Sequence, residues 1–158
     1  MNVRLQTADF DAAAEAAALV RGRTDIGAVV TFTGICRATP APDAIAAITL
    51  EHYPGMAEAE ISRHVEAATR RWPLLGVTVI HRYGRLEPGE NIVLVVTAAE
   101  HRQDAFAAAE FIMDFLKTRA PIWKREERSD GARWIEAKDA DDAAASRWVA
   151  SEGRNAAE

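Results

Sequence analysis

An α+β fold with a largely antiparallel sheet and packed helices is predicted by three observations. Runs rich in β-branched residues come in pairs, the pairs alternate with helical stripes, and Pro or Gly stands at most of the boundaries. In order along the chain, Val3 to Gln6 alternates and reads as a short strand, and Asp9 to Val20 is an Ala-rich helix stopped by Gly22. Gly27 to Cys36 (GAVVTFTGIC) reads as a strand. Ala38 to Asp43, with two prolines, is a loop. Ala44 to Tyr53 is a second strand, expected to lie antiparallel to the first.

Pro54-Gly55 breaks the chain before a helix on which Ala57, Ile61, Val65, Ala68 and Trp72 form an apolar stripe, ended by Pro73. Val77 to Tyr83 and Asn91 to Ala98 are strands joined by a turn at Pro88-Gly89. His101 to Ala120 is the longest helix, with Phe106, Ala109, Met113 and Leu116 expected on its buried face. Pro121 ends it, because a residue before proline avoids the helical region. Ile122 to Arg128 and Ala132 to Ala137 are strands around a Ser129-Asp130-Gly131 turn. The Ala-rich stretch from Asp139 is a short helix fraying over Ser151 to Glu158. A length of 158 residues suits one domain, taken as residues 1–150 with 151–158 as a tail.

Composition excludes several classes of function. The net charge is −5 and no basic run occurs, which disfavours nucleic-acid binding, since that rests on neutralising phosphates. No apolar stretch approaches the ~20 residues that span a bilayer. The N-terminus carries no signal-peptide pattern. The single Cys36 excludes an intrachain disulfide and a Cys-based zinc site, and the four histidines show no metal-ligand spacing. These features together predict a soluble cytoplasmic protein with no metal or cofactor.

The basic residues divide unevenly, 16 Arg to three Lys, and the three lysines are Lys117, Lys124 and Lys138. Arginine supplies charge but does not readily give up a proton, so lysines kept to one stretch point to chemistry that needs an ammonium. Lys117 lies in the last turn of the long helix and Lys124 just past Pro121. If both face one cleft, mutual repulsion and burial favour a neutral amine on one of them, a base or nucleophile. The competing reading is a pair of solvated surface lysines.

His101-Arg102 opens the same helix, where unpaired N–H groups and two cationic side chains make an anion site. The alternative is an ordinary polar helix start. Arg37, at a strand end, is a further candidate. Cys36, in an apolar strand, reads as a buried structural residue rather than a thiolate nucleophile. His64 is expected on the polar side of its helix. His52 and His81, in strands, are expected to be hydrogen-bonded structural residues, and the tryptophans to be core and interface residues, with Trp123 able to wall a pocket beside Lys124. His101 and Lys117 are 16 residues apart on one helix, roughly 24 Å along its axis, whereas an ordinary ligand pocket is only about 10 Å across. Either there are two sites, or a homodimer sets His101 and Arg102 of one subunit beside Lys117 of the other.

Five segments carry a resemblance: GAVVTFTGICR (27–37), LEHYPGMAE (50–58), RWPLLGVTVIHRYG (71–84), the HR pair at 101–102 and FIMDFLKTRAPIWKRE (111–126). In these the chain resembles the large, catalytic subunit of molybdopterin synthase; residues 1–26 match poorly and form a variable part. The resemblance implies an α/β hammerhead fold and a central homodimer, with one small ubiquitin-like subunit at each end of a heterotetramer. It implies sulfur transfer to cyclic pyranopterin monophosphate (precursor Z) to form the dithiolene of molybdopterin, in molybdenum cofactor biosynthesis. The donor is the partner's C-terminal Gly-Gly thiocarboxylate, and no metal is needed.

The family's catalytic lysines fall on Lys117 and Lys124. Its substrate-binding positions fall on Arg37 with Ile35 and Cys36, on His101 and Arg102 from the neighbouring subunit, and on Arg125 and Glu126; Lys138 stands where an arginine is common. Glu100 departs from the pattern by placing a negative charge beside the phosphate position. Two rivals are a non-catalytic dimeric binding module for a phosphorylated metabolite and a thiol enzyme using Cys36.

Overall fold

The computed structural model describes residues 1–40, 44–128, 130–135 and 139–152. Lys138, the loop positions 41–43 and the last six residues lie outside the described residues. The elements run β1 (Asn2–Gln6), α1 (Ala12–Val20), β2 (Ala28–Ile35), β3 (Ile45–His52), α2 (Met56–Arg71), β4 (Leu74–Arg82), β5 (Gly84–Leu86), β6 (Asn91–Ala99), α3 (Arg102–Thr118), β7 (Ile122–Arg128), β8 (Gly131–Ile135) and α4 (Asp139–Glu152). They build two four-stranded sheets, sheet A in the order β1-β4-β6-β2 and sheet B in the order β5-β3-β7-β8. Every pairing is antiparallel except β1 with β4, so the α+β, largely antiparallel expectation holds.

Sheet A is covered on both faces, and the sequence shows why. Residues on β4 and β6 alternate between faces, yet Val77, Val79, Ile80 and Val93 to Val96 are all buried. Val77, Val79, Val93 and Val95 pack against Ile61, Val65 and Ala68 of α2 and Phe111 and Ile112 of α3. Ile80, Leu94 and Val96 point the other way, onto Phe10 and onto Ala12, Ala16 and Leu19 along α1. A strand buried on both sides reads as a continuous apolar run rather than an alternation. Each such side chain contributes roughly 1.5–3 kcal/mol by leaving water. Side chains of α4 close one end of the α2–α3 layer. Trp148 meets Trp72 and Phe111 edge-on, at 5.8 and 5.4 Å between ring centroids, and its indole N–H donates to Asp114 at 2.6 Å.

Four expectations are corrected. β3 is not the partner of β2; it lies in sheet B between β5 and β7. Sequence neighbours pair only as a tendency, and the connection after β2, with Pro40 and Pro42, is no tight hairpin. Between β4 and β6 the chain makes an extra strand, β5, entering sheet B through Gly84 at φ +90°; three residues are too few to show alternation. On α3 the buried stripe is Ala105, Ala108, Ala109, Phe111, Ile112, Phe115 and Leu116, which leaves Phe106 62% exposed. His64 is not on a solvated face. It stacks on Phe111 and Phe115, at 4.1 Å from each ring, and its Nε2 lies 3.3 Å from the Phe111 carbonyl. His64 borders the Ile61–Val65 stripe, and the two phenylalanines one helical turn apart on α3 make a slot for it.

His81 is the buried, hydrogen-bonded residue expected of it. Its Nδ1 lies 2.8 Å from the Arg82 carbonyl, which only accepts, so Nδ1 carries the proton. Burial, far more than the neighbouring His52, pushes its pKa down to about 4, and burial does the same to His64. The unfolded chain takes up those protons near pH 6.5 while the folded chain resists, so stability is lost as pH falls from 6.5 toward 4. For His81 this amounts to about 2 kcal/mol between pH 7 and pH 5. Urea unfolding midpoints of wild type and His81→Asn at those two pH values test it; an equal pH dependence in both would refute the assignment.

Candidate active site: two basic half-sites

One group of candidates gathers where β2 ends. The register of β2 on β6 shifts between Gly34 and Ile35. Beyond the shift the Cys36 N–H donates to the Glu90 carbonyl at 2.8 Å, and the Cys36 carbonyl accepts from the Gly89 N–H at 2.7 Å. The anchored Cys36 is buried among Ile48, Leu50 and Leu86, whereas Ile35 and Arg37 on either side are exposed. Burial pushes the Cys36 thiol pKa up, against a smaller pull from the Lys124 ammonium. A raised thiol is a poor nucleophile, which suits a structural residue.

β7 supplies the next candidates, and its period of two sorts them. Lys124, Glu126 and Arg128 alternate onto one face. The Lys124 ammonium donates to Glu126 Oε1 at 2.9 Å, and Arg128 donates to Oε2 at 2.7 Å. Burial alone would raise the Glu126 pKa, but these hydrogen bonds outweigh it and hold the carboxyl below its usual range. Lys124 is thus oriented by a fixed carboxylate and not by a second ammonium. Arg125 points to the other face of sheet B, opposite Thr49 and Trp134, with its guanidinium 5.7 Å from the Trp134 ring. Arg125 and Glu126, adjacent in sequence, therefore do not face one pocket.

Lys117 is exposed in the last turn of α3. The corner to β7 is tight. The Arg119 and Ala120 N–H groups both donate to the Phe115 carbonyl, at 2.9 and 3.0 Å, and the Ile122 N–H donates to the Ala120 carbonyl at 2.7 Å. Lys117 and Lys124 flank this corner.

The second group lies at the far end of α3. An open cleft of about 410 Å³ is lined by Gly27, Glu100, His101, Arg102 and Gln103, within the size range of small-molecule sites. His101 caps α3 with extended backbone, and its side chain makes no capping hydrogen bond, so the first helical N–H groups stay open to an anion. Gly27 is required here: a Cβ on it would stand 2.2 Å from the Glu100 carbonyl oxygen. Gly27 and Gln103 carry no signal of this role in the sequence, where the G at position 27 reads only as the start of a strand. The Glu100 carboxylate lies 3.7 Å from His101 Nε2, both side chains being exposed, and it offsets part of the positive charge there.

Within one chain the two groups stand apart. Gly27 and Arg37 bracket β2, ten residues or roughly 33 Å of extended strand; His101 and Lys117 bracket α3, roughly 24 Å. Among the described residues no three His, Cys, Asp or Glu side chains gather to hold a metal ion, and no helix is long and apolar enough to cross a membrane.

Comparison with known proteins gives a consistent picture. The family model described as "MoaE protein" matches residues 5–119. A molybdopterin synthase catalytic subunit from Mesorhizobium japonicum is 60% identical over 151 residues, covering 94% of both chains. The solved structure of a molybdopterin biosynthesis MoaE protein from Burkholderia ambifaria superimposes with a TM-score of 0.78 at 48% identity, covering 94% of this chain and 98% of that one. The structure of molybdopterin synthase from Staphylococcus aureus gives 0.76 at 27% identity, covering 83% and 94%.

Proposed function

The chain belongs to the MoaE family, and on that footing we propose how its own residues carry out the reaction. As a molybdopterin synthase catalytic subunit it transfers sulfur in molybdenum cofactor biosynthesis. The acceptor is cyclic pyranopterin monophosphate, and the donor is the C-terminal thiocarboxylate of a small ubiquitin-like subunit. Both partners and the reaction belong to the cytoplasm, and residues 1–150 act as one catalytic domain.

The thiocarboxylate sulfur attacks the side-chain carbon that carries a cyclic phosphate oxygen, and the C–S bond forms as that C–O bond breaks and the phosphate ring opens. Arg37 of one subunit, with His101 and Arg102 of the other, holds the cyclic phosphate and stabilises charge as that ring opens. Lys117 polarises the reacting centre or moves a proton to it. Lys124, steered by Glu126, orients the carboxyl end of the donor's tail. Water then hydrolyses the acyl–sulfur bond, leaving sulfur on the pterin and a carboxylate on the spent donor. A second thiocarboxylated donor adds at the neighbouring side-chain carbon, whose oxygen leaves as water, and hydrolysis of its acyl–sulfur bond frees the second sulfur.

The observation that carries this reading is the separation of the half-sites: an anion cleft at one end of α3 and two lysines at the other, too far apart to serve one ligand within one chain. The test is incubation of the purified protein with precursor and thiocarboxylated small subunit, scored for dithiolene product. Wild type and Cys36→Ser are both expected to form it. Precursor binding without conversion would replace this reading with the binding-module one, and loss of product in Cys36→Ser alone would restore the thiol enzyme.

A further inference from the structure

We propose that Glu90, gripped by the buried Arg82, is a positioning residue for Arg37. It locks the turn between β5 and β6 on which the chain at Arg37 hangs, and so sets where that guanidinium meets the phosphate. Its functional meaning rests on the reading of Arg37 given above, whereas the clamp is visible in the contacts.

β2 ends at Ile35, so the sheet no longer holds the chain at Arg37. The last fixed points before it are the two hydrogen bonds of Cys36. Its N–H donates to the Glu90 carbonyl at 2.8 Å, and its carbonyl accepts from the Gly89 N–H at 2.7 Å. The Cys36 carbonyl and the Arg37 N–H share one peptide plane. The Gly89 bond therefore orients the backbone from which Arg37 projects. Arg37 is placed no better than the turn at residues 87–90.

Side chains hold that turn. The Glu90 N–H donates back to the Glu87 carbonyl at 3.0 Å. Glu90 Oε2 accepts from the Glu87 N–H at 2.6 Å, and Oε1 accepts from Arg82 at 3.2 Å. One carboxylate thus closes the turn and ties it to β4. Arg82 is a firm anchor, only 7% exposed. It also donates to the Thr7 and Asn91 carbonyls, both at 3.0 Å. An arginine is almost never buried unless paired, and its planar fork fixes what it holds. The Glu87 N–H first, and Arg82 after it, hold the Glu90 carboxyl below its usual range against desolvation.

Cutting back Glu90 spares the fold. Its side chain is 40% exposed, and Asp9 Oδ1 lies 3.7 Å from Arg82 as a second counterion. What is lost is the attachment of the turn. The sign of the effect separates positioning from simple charge. The Glu90 carboxylate is felt at the Cys36 thiol. By its field alone it repels a phosphate at Arg37, so its removal would tighten precursor binding. Positioning requires the opposite.

Glu90→Ala is expected to weaken calorimetric binding of cyclic pyranopterin monophosphate, and to raise its KM, by roughly tenfold or more, because small misplacements are costly. The KM for thiocarboxylated small subunit should not change. In an Arg37→Ala background the same substitution should add less than about twofold, since no guanidinium is left to place. Glu90→Gln keeps one acceptor oxygen but not the charge, and should fall in between. Urea midpoints check the fold of each variant. A merely structural defect lowers kcat through lost folded protein and leaves KM alone.

Unchanged or tighter precursor binding in Glu90→Ala, or an equal loss in the Arg37→Ala background, would overturn the clamp while leaving Arg37 its role. Wild-type precursor binding in Arg37→Ala itself would instead remove Arg37 from the site, and the clamp's function with it.

Discussion

Lys117→Ala is expected to lower kcat for dithiolene formation by roughly 10²–10⁴-fold, the range over which a positioned proton donor or acceptor acts. The protein's fold and self-association should be unchanged. Lys117 is exposed and makes no ion pair among the described residues, and the substituted alanine suits a helix. Removing the side chain therefore takes away an ammonium without opening a cavity.

Lys124→Ala is a less clean experiment. It strips one of two cations from Glu126, a carboxylate only 6% exposed, so lost stability would mix with lost activity. The deciding comparison is Lys117→Ala against Lys117→Arg. Arginine keeps the charge but does not readily give up a proton. Rescue by arginine would assign Lys117 an electrostatic role, and continued loss a proton-transfer role. Wild-type kcat in Lys117→Ala would remove Lys117 from the site.

Mixing inactive subunits is expected to restore activity. Arg102→Ala and Lys117→Ala homodimers each carry a lesion in both sites. If each site takes Lys117 from one subunit and Arg102 from the other, a mixed dimer has one site with both lesions and one with neither. Statistical exchange makes half the dimers mixed, so the recovered rate is about a quarter of wild type. Were each site built within one chain, every site in the mixture would keep a lesion and nothing would recover. The assay needs subunit exchange, followed by differently tagged subunits isolated as the mixed dimer. Persistent inactivity in that isolated species counts against sharing.

The repeated pattern of β-branched runs and helical stripes was enough to place nearly every element, because burial on one helical face or both strand faces leaves a period in the sequence. Ile61, Val65 and Ala68 on α2 are the clear case. The failures share a cause. Phe106 looked like core because it is aromatic and nearly in phase, but its place lies just off the stripe that faces sheet A. His64 looked polar because its helix position flanks the apolar face; only α3 decides that two aromatic rings fill the space beside it. Adjacency in sequence predicts β3 beside β2, whereas its partners β5 and β7 lie farther along the chain.

The candidate site divides in the same way. The identities of Arg37, His101, Arg102, Lys117 and Lys124, and the length of helix that keeps the two lysines apart from His101 and Arg102, are all readable from the residues and from the fixed rise of a helix. That Arg125 turns away from Lys124 follows from strand period once β7 is known to lie within a sheet. Three things needed the tertiary structure: that Glu126 is the counterion steering Lys124, that Gly27 forms the wall of the anion cleft, and that Arg82 and Glu90 brace the turn bonded to Cys36. Each is a contact, or a missing contact, between segments distant in sequence. Local periodicity records which face of an element is buried but carries no record of which element does the burying.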